Sequence, residues 1–301
     1  MDETGLHPTD GAVDNPDPEP FIEVDTLEPG AIVAKRYRVM RLMDRDAIGA
    51  EVLVEDMIWG VEIVLKFLHR HVASQESTLQ AFIQELRQAR QIVHENVLHM
   101  YDVLIFGASY TLSLEHFPSH RLAEELKQGP LNPRRGLRTA WDVCRGLNAA
   151  HQVGLVHREL TPSHIVLNYA GGVKVVRNFV SINHDEERVS AEDSLLHMAT
   201  YVAPEHVRRG TLDVRANVYS LGVIMYEMFT GRPPYVADDA GTLLLQHVEG
   251  HPTPPRQLQP ALSAELERLI LTAMAVDPAQ RFQSADDVRR HIVTLFQQTP
   301  G

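Results

Sequence analysis

"HRELTPSHIVLN", His157 to Asn168, lies near the middle of a 301-residue chain. Within eight residues it gathers two imidazoles (His157 and His164), an adjacent pair of opposite charges (Arg158 and Glu159) and a hydroxyl (Thr161). The chain has two different textures. Between residues 35 and 116 come strand-like segments: RYRVMRLM, AEVLVEDM, VEIVLKFL, VLHMYDVLIF and YTLSLE. A single helical segment, STLQAFIQELRQARQIV, interrupts them and places Leu79, Phe82, Ile83, Leu86 and Ala89 on one stripe of an amphipathic helix.

Beyond residue 118 the periodicity becomes helical. NPRRGLRTAWDVCRGLNAAHQVG opens on an Asn cap followed by proline and closes on Gly154. VYSLGVIMYEMFTG is apolar nearly all round, as a buried central helix must be. SAELERLILTAMAV and SADDVRRHIVTLFQQ each open on serine ahead of acidic residues, a helix-start signature. The expectation is an α+β fold of two lobes: a small antiparallel β lobe with one helix (residues 35–116) and a larger, mainly helical lobe (117–298).

Charge divides the chain differently. The formal charge is −12, and residues 1–34 carry nine acidic residues and no Lys or Arg, which leaves −3 for everything else. That composition predicts a disordered acidic tail over residues 1–34. No basic surface for nucleic acid is indicated. The single cysteine, Cys144, excludes an internal disulfide and reads as a buried core thiol. MDETGLHPTD lacks a basic region followed by an apolar run, and no apolar run approaches about 18 residues. The expected location is cytoplasmic, with no membrane span.

A strand-rich lobe with one helix, a helical lobe, and HRE between them resembles the protein kinase superfamily, in particular bacterial serine/threonine kinases. Ordered motifs support the likeness. VLKFL resembles the strand motif V-A-I-K, which implies that Lys66 is the nucleotide-phosphate lysine and Glu85 its helix partner. YVAPEH carries A-P-E as Ala203, Pro204 and Glu205. RANVYSLGVIMYEMFTGRPPY resembles the central helix, with Asn217 in place of the usual aspartate, and DPAQRF supplies Arg281 as the implied partner of Glu205. The resemblance implies a nucleotide cleft built from Asp44, Asp46, Gly49, Val64, Lys66, Leu114, Glu115 and Val166.

The departures from the family pattern fall in the catalytic parts. Where G-x-G-x-x-G is expected, DRDAIG places Asp44, Asp46 and Gly49. Two unit charges about 4 Å apart repel by about 1 kcal/mol in water and about 4 kcal/mol at an effective dielectric near 20. Carboxylates there oppose a polyphosphate, unless they turn outward into solvent. Val64 replaces the alanine against adenine, and an ungapped reading puts Glu51 over the ring, whereas a bulge would put Val52 there. Glu159 stands at the base position with one extra methylene, and a displacement near 1 Å costs roughly 10²-fold in rate. Thr161 replaces the phosphate-steadying lysine.

The metal ligands are degenerate as well. His164 stands where an asparagine binds Mg²⁺, and Mg²⁺ prefers oxygen donors. VKVVRNFVSI places either Asn178 or Arg177 at the metal-binding aspartate, with Phe179 matching the aromatic in the first alignment. No metal site is therefore expected.

The pattern implies a pseudokinase, a signalling scaffold or allosteric interaction module that requires no cofactor, although weak ATP binding without ordered Mg²⁺ stays open. The alternative is a weak or unorthodox serine/threonine kinase using Lys66, Glu85 and Glu159. The expected partner is a protein, an active kinase or its substrate. Arg177 is a candidate stand-in for the missing cation, facing Glu159, Asp44 or Asp46; the plain alternative is a solvent-facing arginine. The segment SINHDEERVSAEDSLLHMAT is a candidate regulated loop through Ser181, Ser190, Ser194 and Thr200, with Arg158 to receive phosphate; the alternative is an ordinary acidic loop.

Overall fold

The computed structural model describes residues 21–45, 48–70, 86–176, 191–208 and 212–298, together with Val72 and Gln84. Asp46, Glu85, Arg177, Asn178, Phe179, Ser181 and Ser190 lie outside the described residues, as does the side chain of Ser194.

Six antiparallel strands form the small lobe: β1 (Ile32–Val33), β2 (Tyr37–Arg45), β3 (Gly49–Asp56), β4 (Val61–Leu68), β5 (Met100–Phe106) and β6 (Ser109–Glu115), in the order β1-β2-β3-β4-β6-β5. Alternation assigns the faces, because successive side chains point to opposite sides. Val52, Val54, Ile63, Leu65 and Phe67 bury one face in an outer cluster with Tyr37 and Val39. Leu68, Leu112 and Met100 face the other way and pack on Leu86 and Ala89, the described end of the predicted helix stripe, and on Ile92.

Of the segment expected to be disordered, residues 1–20 lie outside the described residues. Phe21 to Val33 folds onto the small lobe. Ile22, Val24, Leu27 and Ala31 pack on the outer cluster, and the Ile22 amide donates to Ser109 Oγ at 2.7 Å. Glu23 and Asp25 pair with Arg70 and Arg45. Average composition hid these four apolar anchors among the acids and prolines.

The large lobe begins with a three-stranded sheet, β7 (His120–Arg121), β8 (Ile165–Leu167) and β9 (Val173–Val175), in the order β7-β8-β9. Its helices are α1 (Leu122–Leu126), α2 (Pro133–Gln152), α3 (Ala191–Ala199), α4 (Pro204–Val207), α5 (Val214–Thr230), α6 (Ala240–Glu249), α7 (Pro255–Leu258), α8 (Ala264–Ala273) and α9 (Ala285–Gln298). The cap signals operate as read. Asn132 Oδ1 accepts from Arg134 N–H ahead of α2, and Ser263 Oγ accepts from Leu266 N–H ahead of α8. Ser284 Oγ accepts from Asp287 N–H while donating to the Asp287 carboxylate.

Helix α5 is buried along almost its whole length, as its all-round apolarity requires. Gly222 lets α8 approach it closely, since a Cβ there would meet Ala273 and Met274 at under 3 Å. Arg281 is 4% exposed and satisfies all five of its N–H donors: Glu205 takes two at 2.7 Å each, and the carbonyls of Arg215, Ala275 and Val276 take the rest. The guanidinium also lies 4.8 Å from the Tyr219 ring.

Candidate functional site

The site lies between the two sheets. On the small-lobe side the pairing register builds a row of charge. Lys66 in β4 is opposite Glu51 in β3, and Glu51 is opposite Asp44 in β2. The ladder between β2 and β3 shifts register between Leu42 and Asp44, which leaves Met43 as an extra residue and sets Asp44 against Glu51. Directly opposed residues share a face. Asp44, Glu51 and Lys66 therefore lie side by side on the face turned to the large lobe. Lys66 Nζ donates to Glu51 Oε1 at 3.2 Å, with both side chains largely buried. Val52 is in the outer cluster on the far side, so the residue over the cleft is Glu51.

Asp44 is engaged from the opposite lobe. Arg121 Nη2 donates to Asp44 Oδ2, while Arg121 Nη1 donates to the Ser163 carbonyl at 2.8 Å. Asp44 Oδ1 accepts from Arg45 N–H at 2.8 Å. One guanidinium thus spans from the loop-end of β2 to the turn that carries HRELTPSH. The stand-in role drawn for Arg177 falls on a residue outside the described set; among the described residues Arg121 holds Asp44.

The floor of the cleft comes from β8 and β6. Ile165 and Leu167 point into the large core, so Val166 between them points the other way. Val64 and Leu114 are direct cross-strand partners on the Lys66 face. Glu115, at the end of β6, accepts from Lys174 Nζ at 2.9 Å and from the His99 amide at 3.1 Å. Lys174 also stacks 5.3 Å from the Phe117 ring. Val64, Lys66 and Leu114 therefore share one face of the small sheet, while Glu115, opposite Ile63, turns to Lys174.

The central turn is rigid for identifiable reasons. Asn217 in α5 is 1% exposed. Its Oδ1 accepts from the His157 amide and from His151 Nε2–H, each at 2.9 Å, and its Nδ2 donates to the His157 carbonyl. His157 Nε2–H donates to the Val176 carbonyl at 2.9 Å, tying the turn to the exit of β9. Glu159 is half-buried and lines a cavity with Thr161, Met198, Tyr201, His206 and Ser220.

Thr161 and His164 satisfy each other. Thr161 Oγ1 and His164 Nδ1 lie 3.0 Å apart, and Thr161 Oγ1 also accepts from Ser163 N–H at 3.2 Å. In the Nε2–H tautomer the hydroxyl donates to Nδ1 and both groups are used. His164 packs edge-on to His157 with ring centroids 5.3 Å apart. Burial, then the neighbouring His157, Arg121, His197 and Lys66, holds its pKa well below the ordinary histidine value. Burial and the Arg121 and Lys66 charges disfavour a proton on this ring. An imidazole and a hydroxyl already bonded to each other do not fit Mg²⁺, which takes oxygen ligands. Among the described residues no three His, Cys, Asp or Glu side chains come together as a metal cage.

Sequence reasoning missed Arg121, which lies in a two-residue strand with no motif around it. Asp46, Glu85 and Asn178 cannot be placed in the site, being outside the described residues. Thr200 is half-buried with its hydroxyl donating to the Leu196 carbonyl at 3.0 Å.

A family described as "Protein kinase domain" matches residues 53–293. The chain belongs to the protein kinase domain family. This kinase domain is 26% identical over 268 residues to the serine/threonine-protein kinase PrkC of Bacillus subtilis, covering 89% of the chain and 41% of that relative. It is 28% identical over 278 residues to the serine/threonine-protein kinase PknB of Mycobacterium tuberculosis, covering 89% of the chain and 44% of the relative. The chain therefore spans under half the length of these relatives. The solved kinase domain of Mycobacterium tuberculosis PknI has the same fold, with a TM-score of 0.70 at 23% identity over 89% of this chain and 99% of that one. Among the described residues no helix is long and apolar enough to cross a membrane.

Proposed function

We propose that this kinase domain carries out phosphoryl transfer severely impaired or not at all, and acts as a signalling scaffold or allosteric module for a protein partner, an active kinase or its substrate. The observation that carries this reading is the cross-strand row Asp44–Glu51–Lys66, whose two carboxylates are held by the chain's own Arg121 and Lys66. A phosphate entering there meets two negative charges and a lysine already engaged by one of them. The mutual pairing of Thr161 and His164 supports the same reading, since neither side chain is arranged to steady a phosphate or an oxygen-seeking cation. We take the small lobe as residues 35–116 and the large lobe as 117–298, with the acidic segment 1–34 as an appendage docked through its last third.

A second reading, a weak or unorthodox serine/threonine kinase, is favoured by the relatives named above and by the retention of Lys66 and Glu159 at the cleft. Thermal unfolding of the full chain with ATP, with and without Mg²⁺ or Mn²⁺, separates the two. The scaffold reading predicts no metal-dependent rise in melting temperature. A rise that requires the metal supports the enzyme.

A further inference from the structure

Asp44 and Arg121 are 77 residues apart and belong to opposite lobes, yet each is positioned by its own surroundings before they meet. Arg121 is in register with Val166 in the small sheet, immediately precedes α1, and has Nη1 fixed on the Ser163 carbonyl. Asp44 is turned inward by the register shift at Met43 and steadied by the Arg45 amide, while the Arg45 side chain is drawn away to Asp25. Arg121 would therefore present its remaining donors at the cleft mouth even without Asp44.

We propose that Arg121 forms an anion site for a phosphate-class ligand at the mouth of the cleft, and that Asp44 is its built-in occupant, closing the lobes by standing where a ligand phosphate would bind. The pair is exchangeable. Its side chains are 38% and 47% exposed, and ion pairs this open contribute about 0–1 kcal/mol. A phosphate offers more charge than one carboxylate and more acceptor oxygens than the single Asp44 Oδ2 that Nη2 now meets. Lys66 stands on the same face as Asp44, one strand beyond Glu51, so a diphosphate that displaces Asp44 has a second cation nearby. Both cations also help to keep His164 neutral, as expected if they share one electrostatic neighbourhood.

The site does not depend on whether the domain transfers phosphate. Its test is pyrophosphate binding to the full chain by titration calorimetry in EDTA, so that no divalent ion contributes, using wild type, Asp44→Asn, Arg121→Gln and the double variant. The expected result is that Asp44→Asn binds about tenfold tighter than wild type and that the gain disappears in the double variant. Hydrogen exchange at residues 42–45 should rise in both single variants, because each opens the lobe contact. No gain in Asp44→Asn, or a gain that survives Arg121→Gln, overturns the proposal. Failure of the scaffold reading would show instead as metal-dependent ATP stabilisation, which this assay does not contain.

Discussion

Glu51 and Lys66 are direct cross-strand partners whose side chains meet at 3.2 Å on the cleft face of the small lobe. Lysine is thereby engaged before any ligand arrives. Glu51→Gln keeps the shape and removes the charge. We expect it to raise affinity for a fluorescent ADP analogue by about tenfold, the effect of about 1.4 kcal/mol of relieved repulsion and freed attraction. Adding Lys66→Met should cancel the gain. An unchanged affinity in Glu51→Gln would show that the pair does not govern the cleft.

The pair Arg281–Glu205 makes a prediction about stability. Arg281 is buried with every donor used, so Arg281→Ala strands the Glu205 carboxylate and three backbone carbonyls. Breaking one side of a buried pair costs about 3–5 kcal/mol. Urea unfolding should register that loss. Arg38→Ala, which removes an exposed pair with Glu55, should cost under about 1 kcal/mol. Equal costs for the two would contradict the assigned role of Arg281.

His247 in α6 is fully buried and accepts from the Tyr219 hydroxyl through Nδ1 at 2.7 Å. Burial lowers its pKa from 6.5 to about 4. The unfolded chain therefore binds a proton on this residue between about pH 6.5 and 4 while the folded chain does not. Its contribution to stability is complete above pH 6.5, falls as the pH drops, and levels off below about 4, a loss of order 3 kcal/mol. Unfolding measured from pH 7.5 to 4.5 should show this slope, and His247→Gln should reduce it, the remainder coming from His164 and other buried histidines. An unaltered slope in the variant would place the titration elsewhere.

Which parts of this were legible in the sequence follows from the range of the forces involved. Strands β2 to β6, the caps of α2 and α8, and the buried character of α5 are set by local alternation and periodicity, and they read correctly. The Glu205–Arg281 pair was legible because two recognisable motifs flank it. Glu51 was ambiguous: one bulged residue decides which face a strand presents, and the register shifts fell in β2, at Met40 and Met43, rather than in β3. Arg121 could not be found, since its role arises from a contact across 77 residues and from a strand of only two. Folding of Phe21 to Val33 was hidden because four apolar anchors are diluted among acids and prolines.

Asn217 holds the central turn from α5. An amide there serves three hydrogen bonds to His151 and His157 without a charge to bury. Asn217→Ala should lower stability by about 2–3 kcal/mol through the stranded His157 amide and carbonyl, as calorimetric unfolding would show. A change below about 0.5 kcal/mol would mean that the turn holds its shape without it.

The most direct measurement is transfer of label from γ-labelled ATP to the chain itself and to a generic protein acceptor, with Mg²⁺ and with Mn²⁺, comparing wild type with Lys66→Ala. The account predicts incorporation no greater in wild type than in Lys66→Ala with either metal. Label that accumulates with time in wild type and is lost in Lys66→Ala would contradict it.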